Sequence, residues 1–231
     1  MKKKWIILIV VGVILLLGIL GFLAYNTVSK LQQKSKLTME MNEIATIIAS
    51  NEYTEESINK RLDSRVTKGD YGKVENAAKS YLKDVIQLNL ELIDLIKDDR
   101  IGNMLTVENY EEDGPEFTNT KTYLDTTIQR LEEMKKDYAE YMSEEKIMSY
   151  IEKENVDEYY QELYKTVMGE SQYEEITASL NELIDVLNKS NDIIDFLKEN
   201  AGSWIIQDDM IVFSTNELID EYNNLVNELA A

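Results

Sequence analysis

The chain has 231 residues, with 24 basic and 44 acidic side chains, no histidine, no cysteine and a net charge of −20 at pH 7. Without histidine and cysteine there can be no disulfide, thiol nucleophile, Ser-His-Asp triad or ordinary zinc site. The acidic surface argues against nucleic acid as a partner, since phosphate contacts need Lys and Arg patches. We therefore expect no cofactor and no enzymatic activity, with a carboxylate-based hydrolase as the remaining enzymatic alternative.

The N-terminus predicts a membrane anchor. Lys2–Lys4 precede an uncharged apolar run from Trp5 to Tyr25, which at about 1.5 Å per residue spans about 30 Å, the thickness of a bilayer core. A cleaved signal peptide would have a shorter run of about 7–15 residues and a small residue where Phe22 stands. We predict an uncleaved anchor at residues 5–25 with residues 1–4 in the cytoplasm, because these lysines lie closer to the span than those that follow it.

Apolar residues at steps of three and four predict helices over most of the remaining chain. Residues 26–50 are predicted to form a stalk and a first bundle helix, and residues 51–200 a helical bundle domain. The predicted helices are a short one capped by Thr54 and carrying Ile58, Leu62 and Val66, and others over about 72–98, 115–142, 143–152, 155–168 and 172–199.

Several residues are predicted to mark helix ends. Pro115 suits the first position of a helix, and Asn155 with Glu158 has the spacing of a capping box. Helix-like segments are followed by glycines, which favour the left-handed conformation that ends many helices; these are Gly69, Gly102, Gly169 and Gly202.

An acidic segment between two predicted helices is a candidate for weak cation binding. Its carboxylates surround Gly114-Pro115 and are Glu108, Glu111, Glu112, Asp113 and Glu116. Clustered oxygen ligands suit calcium, but an EF-hand register centred on Gly114 places Thr120 where the bidentate Glu is needed. We favour an ordinary interhelical loop and keep a weak cation site as the alternative.

The stretch Ala201–Thr215, AGSWIIQDDMIVFST, predicts a β-hairpin with Asp208-Asp209 as a two-residue turn. One face would carry Trp204, Ile206, Ile211 and Phe213, and the other Ile205, Met210 and Val212. The hairpin closes one end of the bundle in one interpretation. In the other, its second apolar face or its free edge receives a partner strand or ligand, with Trp204, Ile205, Met210 and Val212 as the partner surface.

The hairpin is predicted to lead into a last helix. Ser214 and Glu217 have the spacing of a capping box for a helix from Thr215 to about Leu229. Residues 201–231 would then close the same domain as residues 51–200.

The sequence therefore predicts an all-α protein, in which an N-terminal transmembrane helix precedes an extracytoplasmic helical bundle with one small C-terminal β-hairpin. A lysine-led anchor followed by an acidic helical domain resembles the layout of envelope proteins of Gram-positive bacteria. This layout favours a non-enzymatic cell-envelope module that binds a protein, a peptide or an envelope component. The alternative is a membrane-tethered accessory or sensory subunit of a larger envelope complex.

Overall fold

The computed structural model describes residues 32–50, 54–169 and 173–230. The predicted anchor at residues 5–25 and the start of the predicted stalk lie outside these ranges. Within them, no helix combines the length and the apolarity needed to cross a membrane. The anchor, its orientation and the location of the protein stay predictions.

Most of the described chain is helical, and its two strands form a small hairpin near the C-terminus, as predicted. The elements are α1 (Gln32–Ser50), α2 (Glu55–Asp63), α3 (Gly69–Lys97), α4 (Asp99–Asn103), α5 (Val107–Asp113), α6 (Thr118–Tyr141), α7 (Glu144–Glu152), α8 (Glu158–Met168), α9 (Tyr173–Glu199), β1 (Trp204–Gln207), β2 (Met210–Phe213) and α10 (Asn216–Ala230).

Two of the predicted helix starts are confirmed by their caps. The Thr54 hydroxyl accepts a hydrogen bond from the Ser57 amide at 3.2 Å, and the Ser57 hydroxyl accepts one from the Thr54 amide at 3.0 Å. Ser143 caps α7 by accepting from the amide of Lys146 at 3.1 Å. Val66 does not belong to α2 as predicted, because that helix ends at Asp63 and Val66 is exposed.

Other predicted boundaries are wrong. Gly102 lies inside α4 instead of ending a helix, and Gly69 is the first residue of α3. Asn155 does not cap α8: it has a positive φ of 49°, and Asp157 occupies the cap position. Gly169 does follow the end of α8 with a φ of 70°, as predicted.

The helix predicted from Pro115 begins three residues later, at Thr118. Phe117 has a φ of 49°, which is incompatible with a right-handed helix. The first-turn amides of α6 are satisfied by the Asp113 carboxylate, which accepts from the amides of Asn119 at 3.2 Å and Thr120 at 2.7 Å. Asp113 therefore works as a helix cap.

The described chain divides into two compact units. Unit 1 contains described residues from 32–93 and 135–179, and unit 2 contains those from 94–134 and 180–230. Apolar side chains at the predicted helical spacing form the core of each unit. In unit 1 they include Met41, Ile44, Ile48, Val74, Ala78, Tyr81, Val85, Tyr138 and Tyr164, and in unit 2 Leu124, Leu131, Leu180, Leu183, Leu187, Ile194 and Leu197.

Unit 1 also contains a network of buried charges centred on Lys79 of α3. The Lys79 ammonium lies 2.6 Å from Glu40 Oε1 on α1 and 2.7 Å from Glu75 Oε1 on α3, and it donates to the Ser64 carbonyl at 2.9 Å. The side chains of these three charged residues are almost completely buried. The second oxygen of Glu40 accepts from Arg61 at the end of α2. The network therefore ties α1 and α2 to α3.

Glu75 also fixes the segment between α2 and α3. Its Oε2 accepts hydrogen bonds from the Thr67 amide at 2.8 Å and the Thr67 hydroxyl at 2.6 Å, and its Oε1 accepts from the Val66 amide at 3.0 Å. Burial by itself raises the pKa of Glu75. The hydrogen bonds from Lys79, Thr67 and Val66 outweigh that effect and leave the pKa below its ordinary value.

Replacing Lys79 by Met should strongly destabilise unit 1, because it leaves the buried carboxylate of Glu75 without a cation and that of Glu40 with Arg61 alone. We expect a loss of about 3–5 kcal/mol in the free energy of unfolding, measured by urea denaturation. Lys83→Met is the matched control one helical turn away. It removes an exposed pair with Asp63 at 3.0 Å and should cost less than about 1 kcal/mol. Equal losses in the two variants would contradict the stabilising role of the network.

Glu75→Gln should flatten the dependence of stability on acid pH. Since the pKa of Glu75 is lowered on folding, the unfolded chain binds more protons, and the stabilisation is complete only above the unfolded pKa of about 4.3. It is lost as the pH falls through the folded pKa. Urea denaturation between about pH 6 and pH 3 should give a smaller slope for the Gln variant than for the native chain. Identical slopes would show that Glu75 contributes nothing to acid sensitivity.

Candidate functional site

The C-terminal hairpin, here called the ribbon (Trp204–Phe213), has the predicted register. Its strands pair Trp204 with Phe213, Ile205 with Val212, Ile206 with Ile211, and Gln207 with Met210. Asp208 and Asp209 have φ values of 52° and 57°, the left-handed pair that a type I′ turn requires. This turn matches the twist of the two strands, so the four pairs can form without a bulge.

The inner face of the ribbon packs against helices of unit 2. The Trp204 indole donates to the Leu197 carbonyl at 2.7 Å and stacks on Phe117, with ring centroids 6.1 Å apart. Phe213 contacts Tyr222 of α10 at 5.2 Å and Phe196 of α9 at 5.9 Å between centroids. A two-stranded ribbon is marginal alone in water, so these aromatic contacts hold it in place.

Gly114 makes room for the Trp204 ring. A Cβ atom at this position would lie 2.4 Å from the Tyr110 carbonyl oxygen and 3.2 Å from the Trp204 ring. Only a residue without a side chain fits such an approach. The segment that was predicted to be an acidic loop thus also forms part of the surface on which the ribbon packs.

The connection to α10 differs in detail from the prediction. The helix begins at Asn216, and the Thr215 hydroxyl accepts from the Leu218 amide at 3.3 Å. Ser214, predicted to be the cap, instead donates its amide to the Ser203 carbonyl at 2.8 Å. That bond adds one more residue pair to the hairpin. Because Ser214 belongs to this pair, the cap of α10 is Thr215, one residue later than predicted.

The outer face of the ribbon consists of Ile205, Gln207, Met210 and Val212. The exposed fractions of its three apolar side chains are 59 % for Ile205, 61 % for Met210 and 40 % for Val212. Of the four residues that the sequence assigned to a partner surface, these three therefore lie together. Trp204 lies on the inner face, because side chains alternate along a strand.

The acidic segment is not a loop as predicted. Glu108, Glu111, Glu112 and Asp113 lie within α5, whose start is capped by Thr106, and Glu116 lies in the turn that follows. Asp113 accepts a hydrogen bond from the Thr120 amide at the start of α6, and Glu116 lies 3.7 Å from the Lys198 ammonium. Among the described residues, no group of three or more acidic side chains is arranged to hold a metal ion.

Two of these acidic residues line a groove of about 470 Å³ in unit 2. Glu108 and Glu112 share it with Asp99, Arg100 and Tyr123. Arg100 already has two partners within the chain. It lies 2.6 Å from an oxygen of Asp98, and its guanidinium is 4.0 Å from the centroid of the Tyr123 ring. The bonds from Arg100 lower the pKa of Asp98. The sequence does not indicate Arg100 or Tyr123 as site residues, because Arg100 reaches Tyr123 from the short helix α4, which was not predicted.

Comparisons with known proteins assign no family to this chain. No protein-family model, no curated protein and no solved structure matches it.

The two faces of β2 should respond differently to truncation. Phe213→Ala removes a ring that is 8 % exposed and should lower the free energy of unfolding by about 3–5 kcal/mol. Its neighbour Val212 points to the outer face, so Val212→Ala should change the free energy by about 0.5 kcal/mol or less. Urea denaturation of both variants tests this, and comparable losses would contradict the assignment of inner and outer faces.

Proposed function

We propose that this chain is a membrane-anchored, extracytoplasmic helical module of a cell envelope. It binds a protein or peptide partner on the outer face of the ribbon and has no enzymatic role. The observation that carries the proposal is the exposure of Ile205, Met210 and Val212 side by side on this face. Contiguous exposed apolar groups are typical of interaction surfaces, whereas isolated ones are ordinary.

The other interpretation of the hairpin, that it closes one end of the bundle, explains the packing of its inner face but not the exposed apolar residues of its outer face. Closing the end of a helical unit requires the inner face, where Trp204 and Phe213 pack. It gives no reason for three large apolar side chains on the opposite side. A partner that covers them would remove this apolar area from water, at about 25 cal/mol per Å².

The hydrogen-bonded carboxylates of Glu75 and Asp113 support a binding role over a catalytic one. A general acid at neutral pH needs a raised pKa. Glu75 is buried, yet its hydrogen bonds lower its pKa. The pKa of Asp113 is also lowered, because the bonds from Thr120 and Asn119 outweigh the effect of burial. Both groups act as structural anions that hold backbone amides.

The buried network favours a membrane-tethered accessory or sensory subunit as a second candidate. Glu40 fastens α1, which the sequence predicts to continue from the anchor, to Lys79 and Arg61. A displacement of α1 would therefore reach α3 through buried ionic contacts. An accessory subunit should co-purify from native membranes with a larger complex in fixed stoichiometry, even when the outer face of the ribbon is altered.

The binding proposal is tested by photo-cross-linking of the full chain in its native membrane. A benzoylphenylalanine at Gln207, the polar position of the outer face, should give a discrete cross-linked species. Replacing Ile205, Met210 and Val212 together by Thr should reduce that species at least about tenfold, since each loses apolar contact area. The free energy of unfolding should change little, because these side chains are already exposed.

Met39→Thr is the matched control for this experiment. Met39 is 60 % exposed, like Met210, but belongs to α1 in unit 1. It should leave the cross-linked species unchanged. A triple Thr variant that cross-links as strongly as the native chain would refute the proposed binding surface.

A further inference from the structure

The backbone of the ribbon has two unpaired edges. The bond from the Ser214 amide to the Ser203 carbonyl makes this pair hydrogen-bonded. Because hydrogen-bonded pairs alternate along an antiparallel ladder, the pairs 205–212 and 207–210 are hydrogen-bonded too. The amide and carbonyl groups of Trp204 and Ile206 then point away from β2, and those of Ile211 and Phe213 point away from β1.

No third strand covers either edge within the described part of the chain, because its sheet contains only β1 and β2. Natural proteins protect such edges with Lys, Pro, bulges or inward-pointing charges, or keep the edge strands very short. Each strand here has four residues, enough to pair with a short segment. The segment from Trp204 to Phe213 contains neither Lys nor Pro, its pairing has no bulge, and its only charges are Asp208 and Asp209 in the turn. Its edges are therefore suited to pairing with another extended segment.

The negative charge of the ribbon and α10 indicates which kind of extended segment could bind. From Trp204 to Ala230 the chain has no Lys or Arg, and all of its charges are acidic: Asp208, Asp209, Glu217, Asp220, Glu221 and Glu228. A second copy of this chain would bring the same negative charges to the contact. A segment flanked by Lys or Arg would gain attraction where a second copy meets repulsion.

We propose that the ribbon binds an extended, basic-flanked peptide segment by strand addition. The segment pairs its backbone with one edge of the ribbon, and its outward apolar side chains, at alternate positions, extend the apolar surface of Ile205, Met210 and Val212. Its Lys or Arg residues lie near Asp208 and Asp209 of the turn and near the acidic residues of α10. This inference rests on the proposed function, of which it names the partner class and the binding mode.

The test begins with a phage-displayed library of random twelve-residue peptides. It is selected on the full chain in lipid nanodiscs and counter-selected on the variant with Thr at 205, 210 and 212. The expected consensus has apolar residues at alternate positions and Lys or Arg beside them. A consensus with apolar residues at helical spacing, or with acidic flanks, would overturn strand addition by a basic segment.

Backbone methylation of the selected peptide then tests the binding mode. An N-methyl group removes one amide donor and blocks pairing at that position. In fluorescence anisotropy, methylation at every second amide should weaken binding at least about tenfold, whereas the intervening amides should tolerate it. Equal tolerance at all positions would overturn strand addition, yet it would leave the proposed function standing if the triple Thr variant still loses the peptide.

Two substitutions in the turn test whether the negative charges of Asp208 and Asp209 attract the basic peptide. Asp208→Asn with Asp209→Gly removes two charges and installs the pair most favoured in a type I′ turn. The ribbon should remain folded, and the affinity for the selected peptide should fall several-fold at low salt and less at high salt. An unchanged affinity would overturn the role assigned to these carboxylates in choosing the partner.

Two further outcomes separate this inference from the proposed function. If no peptide is enriched on the native chain over the triple Thr variant while the cross-link at position 207 persists, the surface binds something other than an extended segment. If the cross-link at 207 joins two copies of the chain and disappears on dilution, a second copy covers the ribbon. Either result overturns the inference.

Discussion

The position of the ribbon on unit 2 depends on the contact between Trp204 and the end of α9. The indole donates to the Leu197 carbonyl at 2.7 Å, and its ring lies over Phe117 and the open position at Gly114. Two strands alone cannot bury enough apolar surface to stay folded. Once Trp204 and Phe213 pack against the helices, the alternation of side chains turns Ile205, Met210 and Val212 outward. The exposed face thus follows from the way in which the ribbon is held.

Unit 1 is organised around a different constraint, the burial of an ammonium group. Lys79 would be costly to bury alone, and its stability in the interior depends on Glu40, Glu75 and the Ser64 carbonyl together. These partners come from α1, from α3 and from the segment after α2. A single cation therefore fixes three parts of the chain, including the helix that is predicted to continue from the membrane.

The sequence predicts those features that depend on local chemistry. The cap at Thr54, the helix start at residue 143, the register of the ribbon and the helices α3 and α9 are all confirmed, since each depends on residues close together in the chain. The predictions failed where a distant contact or a special backbone conformation intervenes. Phe117 and Asn155 adopt positive φ values, and the short helices α4 and α5 contain too few apolar positions to show a period.

The candidate site shows the same division. The alternation of residues 204–213 predicts two faces and a turn, because strand geometry has a period of two. Both faces carry apolar residues, and the sequence predicts Trp204 both on the face with Phe213 and in the partner surface, so it leaves the role of Trp204 undecided. Tertiary structure decided this point through Leu197 and Tyr222, on the helices before and after the ribbon, and through Phe117, which is distant in the chain. It also decided the burial of Lys79: a Glu-Lys pair at i, i+4 is common on exposed helices, and only the packing of α1 excludes water from this one.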